Sequence, residues 1–239
     1  MSLAADATVL TEEARQFVND GCTIRVHVAR PADRPGRFPA VILLHEWWGL
    51  TPHAADVARR LARAGYVGAA LDLYSRQGHA VTADPAEAAR LMNALSTQAA
   101  LRDLNACARY LAALPFVDGQ RLGILGFSMG GGIALFMAQH NSDLKAAAAF
   151  YGKTPPVETA DAFLCPILFH DAGQDAWVTR KEVDALRQAL AGLGKPATFL
   201  RYPEADHAFF NDARPEVYRR ADAERAWQST LAFFKRYLV

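Results

Sequence analysis

The chain has 239 residues, 51% hydrophobic and 21% charged, with 26 Lys+Arg against 25 Asp+Glu. That balance excludes a disordered, collagen-like or coiled-coil protein, and the length suits one α/β domain spanning residues 1–239 with little room for another. A net charge of +1 supplies no long-range field to gather nucleic acid, and no apolar run reaches the roughly 18 residues of a membrane span, so neither partner is expected.

In chain order, residues 15–18 and 23–29 alternate weakly around Asp20-Gly21, which predicts an antiparallel hairpin at a sheet edge. Residues 40–44 form an apolar run that reads as a strand buried on both faces. Pro52 then opens a helix to residue 64, closed by Gly65. Further strands are expected over 67–71, 121–127, 146–151, 166–170 and 197–202. Helices are expected over 52–64, 85–95, 101–114, 129–139, 179–190 and 216–237. Repeated strand–helix–strand units imply a mostly parallel twisted sheet with helices on both faces. The longest insertion, residues 78–95, is too short for a lid domain, so an uncapped rim and small or exposed substrates are expected. Residues 133–138 are apolar on every side, as in a buried helix.

Gly126-Phe127-Ser128-Met129-Gly130 follows a strand and opens a helix, the setting a nucleophile elbow requires. So tight a turn needs small residues two before and two after the serine, and both are glycine. A serine hydroxyl is a poor nucleophile at neutral pH, so a base and an orienting carboxylate should follow along the chain. Both candidates lie in loops at strand carboxyl ends, the rim where ligands bind in open parallel sheets. Asp171 and Asp175 compete as the orienting residue. Asp171 still belongs to the strand end, whereas Asp175 follows the Gly173 turn and can reach across the rim, which favours Asp175. Of seven histidines, His207 alone combines loop setting, chain order and late position. His27, His53, His79 and His140 read as surface or half-buried residues, and His170 as a core histidine.

The loop after the first parallel strand, His45-Glu46-Trp47-Trp48-Gly49, is the other rim feature. Amide N–H groups of Trp47 and Met129 are placed to form an oxyanion hole, each donor typically worth ~3 to 4 kcal/mol in the transition state. Glu46 and two tryptophans at a rim suggest a binding role, with loop packing the plainer alternative. Cys22, Cys107 and Cys165 are odd in number, lack metal-ligand spacing and sit among apolar residues, so buried thiols are expected. No basic residue precedes Arg15 and no apolar leader follows, which makes the cytoplasm the expected location.

From about residue 18 onward the sequence resembles the dienelactone hydrolases of the α/β-hydrolase superfamily. His45 to Gly49 resembles the family's glutamate-bearing loop, Asp72-Leu73-Tyr74-Ser75-Arg76 its D-L-Y-x-R segment, and Phe150-Tyr151-Gly152 its Y-G strand end. Residues 170–175 and 202–209 resemble its aspartate and histidine loops. The resemblance implies an α/β-hydrolase fold and the triad Ser128, Asp175 and His207. It departs in two places. Dienelactone-active members carry cysteine where Ser128 stands, which shifts work to His207 as general base and leaves Glu46 without its thiol-proton role. Arg76 matches one of two carboxylate-binding arginines, but Asn211 stands in place of the second, which argues against a tightly held anionic lactone.

The reading is therefore a lidless serine hydrolase acting on a small carboxylic ester or lactone through an acyl-enzyme. Trp47, Trp48, Glu46, Arg76 and Tyr151 should line its pocket. No metal or organic cofactor is needed, and a monomer or small homo-oligomer is expected. Rival readings are a thioester or amide hydrolase, an acyltransferase or a perhydrolase on the same triad, and a non-catalytic ligand receptor.

Overall fold

The computed structural model describes residues 8–33 and 35–239. One eight-stranded sheet organises them, in the order β1-β2-β4-β3-β5-β6-β7-β8. The hairpin β1 (Leu10–Asn19) and β2 (Cys22–Pro31) turns through Asp20 and Gly21, both at positive φ (46° and 71°), and lies at the edge antiparallel to its neighbours. The other strands, β3 (Phe38–Leu44), β4 (Val67–Leu71), β5 (Val117–Phe127), β6 (Leu144–Phe150), β7 (Ile167–Ala172) and β8 (Ala197–Tyr202), run parallel to one another.

Strand alternation divides the core into two layers. Ala40, Ile42 and Leu44 of β3 face one layer while Val41 and Leu43 face the other. Helices α3 (Thr97–Ala112), α4 (Met129–His140) and α5 (Arg180–Gly192) cover the first layer, through Leu104, Leu111, Leu135, Val183 and Leu186. Helices α1 (Pro52–Arg63) and α6 (Arg220–Leu238) cover the second, through Val57, Leu61, Ala226 and Phe234. Helix α2 (Pro85–Asn93) sits outside the sheet, started by Asp84, whose side chain accepts from the Ala86 N–H at 2.9 Å. Helix α5 begins in a capping box between Thr179 and Glu182.

Several boundaries differ from the sequence expectation for local reasons. Strand β5 starts at Val117 because the chain first pairs with Phe38 and then shifts register. Helix α3 starts at Thr97 because Ser96 caps the Ala99 N–H at 3.3 Å. Strand β7 continues through Asp171 and Ala172, which stay paired with Arg201 and Tyr202. Among the described residues no helix is long and apolar enough to cross a membrane.

Candidate active site

Glu46, Ser128, Tyr151, Asp175 and His207 all lie just beyond the carboxyl ends of parallel strands. Ser128 follows β5 with φ 52° and ψ −116°, a strained conformation for a residue with a side chain. Only glycine fits the turn around it. A Cβ on Gly126 would lie 2.0 Å from the Gly130 carbonyl oxygen, and one on Gly130 would lie 2.6 Å from the carbonyl oxygens of Leu44 and His45. The elbow therefore docks directly onto the end of β3, where the glutamate loop begins.

Ser128 Oγ lies 2.7 Å from His207 Nε2, and His207 Nδ1 lies 2.7 Å from Asp175 Oδ2. The second oxygen of Asp175 accepts from the N–H groups of Trp177 and Val178 at 2.7 and 3.0 Å. The carboxylate is thus immobilised, and its contact with Nδ1 orients the imidazole so that Nε2 faces the serine hydroxyl. Asp171 cannot serve in its place, because it is buried at the strand end and engaged by Arg201. Burial raises its pKa, opposed by the Arg201 guanidinium.

The glutamate loop is held from beneath. His45 is buried; its Nδ1–H donates to the Glu46 carbonyl at 2.6 Å and its Nε2 accepts from the Leu73 N–H at 3.1 Å. Burial lowers its pKa, opposed by the Glu46 carbonyl and the charge of Asp72, so the ring is neutral. Tyr74 Oη donates to the Trp47 carbonyl at 3.0 Å from the next strand end. These anchors leave the Trp47 and Met129 amides with no hydrogen-bond partner among the described residues.

The cavity above Ser128 has a volume of about 560 Å³, within the range of small-molecule sites. Glu46, Trp47, Trp48 and Tyr151 are in its wall, together with Ser128, Met129 and His207. Glu46 is buried, accepting from Tyr151 Oη at 3.2 Å and from Asn211 Nδ2 at 2.8 Å. Tyr151 has φ 40°, and its ring packs 5.0 Å from that of His207. Burial, then the Glu46 carboxylate, push its phenol pKa well above the ordinary tyrosine range, so it remains a neutral donor. Asn211 is thus turned inward to Glu46.

Arg76 corrects the sequence reading, because it is absent from this wall. Its Nε and Nη2 donate to Asp103 at 2.8 and 2.7 Å, and Nη2 also reaches the Asn19 carbonyl at 3.0 Å. The buried carboxylate on α3 claims the guanidinium and ties the edge hairpin to the helix layer. The cations at the cavity are instead Lys153 and Arg214, the latter stacked 5.6 Å from the Trp48 ring. Trp177 was also missed. It is 62% exposed, yet its ring lies 5.7 Å from Trp47 and 6.5 Å from His207. Its position two residues after Asp175 was the available signal, since an aromatic that close to a carboxylate reaching the rim lies on the rim as well.

The 78–95 stretch forms no lid domain among the described residues, yet it supplies part of the rim. The Thr82 N–H bonds the Trp48 carbonyl at 3.0 Å, and Pro85 and Met92 form one wall of the cavity. His170 is a core residue, and Cys107 and Cys165 are buried as expected, whereas Cys22 on the edge hairpin is only half-buried. His170 Nε2–H donates to Thr230 Oγ1 at 2.9 Å, and its Nδ1 accepts from Tyr202 Oη at 2.9 Å; burial lowers its pKa to about 3. Burial pushes the Cys107 and Cys165 thiols up to about 12.

The sequence profile of the dienelactone hydrolase family matches residues 24–238. The chain belongs to the dienelactone hydrolase family. A protein of Escherichia coli K12, provisionally named a carboxymethylenebutenolidase, is 37% identical over 92% of this chain and 84% of its own length. One from Methylorubrum extorquens with the same provisional name is 32% identical over 100% of this chain and 85% of its own. The crystal structure of a Klebsiella pneumoniae protein provisionally named a dienelactone hydrolase superposes with a TM-score of 0.89 at 34% identity, covering 96% of this chain and 100% of that one. This dienelactone hydrolase family member is accordingly a carboxylic-ester hydrolase of the esterase and lactonase kind.

Proposed function

We propose that this family member cleaves carboxylic esters or lactones through an acyl-enzyme on Ser128, His207 and Asp175. The observation that carries this reading is the unbroken line from Ser128 Oγ through His207 to Asp175, with both contacts at 2.7 Å. His207 Nε2 removes the hydroxyl proton as Oγ bonds to the substrate carbonyl carbon. The carbonyl oxygen becomes an oxyanion, received by the Trp47 and Met129 amides. Asp175 holds the imidazolium in register. The proton then passes to the leaving alkoxide as its bond to carbon breaks, and water repeats the sequence to release the acid. Glu46, bonded to Tyr151 and Asn211, acts as a wall and anchor for the phenol beside His207.

A fluorophosphonate should label Ser128 stoichiometrically, and Ser128→Ala should lower kcat/KM for p-nitrophenyl acetate by at least ~10³-fold with the fold retained by circular dichroism. Turnover unchanged in Ser128→Ala would overturn the proposal. Thioester and anilide substrates, with and without an added alcohol acceptor, assign the leaving group and acceptor.

A further inference from the structure

A second cavity of about 600 Å³ opens beside the first and shares Met92, Met129 and Lys153 with it. It lies between α2, α3, α4 and the loop 153–162, and it runs along one stripe of α4: Met129, Gly132, Ile133, Phe136 and His140. These residues share a helix face. They are also the residues of α4 left half-buried or exposed, while Ala134, Leu135, Met137 and Ala138 are fully covered. A helix apolar all round therefore keeps one face uncovered, and that face begins at the residue after Ser128.

At the far end of this groove several polar groups are paired within the chain. Gln139 Nε2 donates to the carbonyl and hydroxyl oxygens of Thr159 at 2.8 and 2.9 Å, Thr159 Oγ1 donates to the Pro156 carbonyl at 2.8 Å, and His140 Nδ1–H donates to the Phe136 carbonyl at 2.8 Å. Those paired groups return little to a polar ligand for its lost water, whereas a hydrocarbon chain buries itself favourably against Leu95, Leu101, Ile133 and Phe136. Met129, an unbranched and adaptable side chain, is the divider between the two spaces.

We infer that this groove is the second arm of the substrate site and holds an unbranched hydrocarbon chain of the ester, reaching from Ser128 past Met129 along α4. The inference rests on the proposed ester hydrolysis and names its substrate class: esters with a medium-length alkyl arm. The chain comes from the acid or from the alcohol, and the two are separable by experiment.

The test uses Ile133→Trp, which fills the groove at a residue absent from the Ser128 cavity wall. The acid arm is read with p-nitrophenyl esters from acetyl to decanoyl, and the alcohol arm with acetate esters from ethanol to decanol. In the wild type kcat/KM should rise about tenfold or more from short to long chains in one series. Ile133→Trp should erase that rise and leave the acetyl or ethyl member within about twofold. A profile flat with length, or one lowered equally at all lengths by Ile133→Trp, overturns the inference. Binding of the fluorescent fatty acid cis-parinaric acid to Ser128→Ala separates this from failure of the hydrolase reading. Binding abolished by Ile133→Trp upholds the groove even if no ester is turned over, and equal binding in both backgrounds rejects it. A dimer dissociated by Ile133→Trp, with a flat profile, would assign the groove to a second copy of the chain and reject it too.

Discussion

At the scale of single residues, Asp171 inside β7 and Asp175 beyond it show how four positions of chain give two carboxylates different surroundings. Asp171 lies within the strand and pairs with Arg201; Asp175 lies beyond the turn, accepts two backbone N–H groups and faces His207. Asp175→Asn keeps the shape but removes the acceptor that holds the imidazole tautomer, so kcat should fall by about 10³ to 10⁴-fold with little loss of stability. Asp171→Asn should leave kcat within about threefold and lower the denaturation midpoint, because Arg201 loses a buried partner. Steady-state kinetics with urea melts of both variants checks the assignment. Arg76 teaches the converse lesson. Its motif was visible in the sequence, but the buried Asp103 that captures it comes from another helix, so its direction was not.

At the scale of elements, the elbow is the most constrained part of the fold. It was legible because its constraint is local: strand, serine at positive φ, helix, with glycine at the two positions where backbone meets backbone. Gly126→Val should destabilise by more than about 3 kcal/mol or prevent folding, since its Cβ would enter the Gly130 carbonyl. Gly192→Ala, at the end of α5 where a Cβ meets nothing within 4 Å, should change stability by less than about 1 kcal/mol. Urea denaturation of the two variants makes the comparison. Helix α4 was less legible. Its composition reads as buried on every side, yet its Ile133 and Phe136 face a cavity. Composition reports how apolar a helix is, and whether a neighbour covers each face depends on where α2 and the loop 153–162 come to rest.

For the whole molecule, two buried neutral histidines set a direction for acid stability. His170, with pKa lowered to about 3, and His45, also lowered, stay neutral in the fold, while an unfolded histidine takes up a proton near 6.5. The unfolded state therefore binds more protons as pH falls below 6.5, and stability drops, by up to about 1.4 kcal/mol per pH unit for each group, levelling off only below the folded pKa. His170→Leu loses the bonds to Tyr202 and Thr230 and should be less stable at pH 7.5, but its stability should decline less steeply between pH 6 and 4. Equal slopes for wild type and variant in urea melts at those pH values would refute this account of His170.

What the sequence by itself determined is whatever depends on neighbours along the chain. The alternation of short apolar strands with helices specifies a mostly parallel sheet, and the turn chemistry at Asp20-Gly21 specifies the edge hairpin. The glycines around Ser128 specify the elbow, and the placing of Ser128, Asp175 and His207 after β5, β7 and β8 puts the three on one rim. Tertiary structure alone decided what comes to that rim from elsewhere. It sent Arg76 to Asp103, brought Arg214, Lys153 and Trp177 to the cavity, and turned Asn211 inward to Glu46. It also laid residues 82–92 against the cavity and left a groove along α4. The physical reason is range. Strand period, turn sterics and capping act over a few residues, whereas the partner of a long charged side chain and the cover of a helix face are set by segments tens of residues away in sequence.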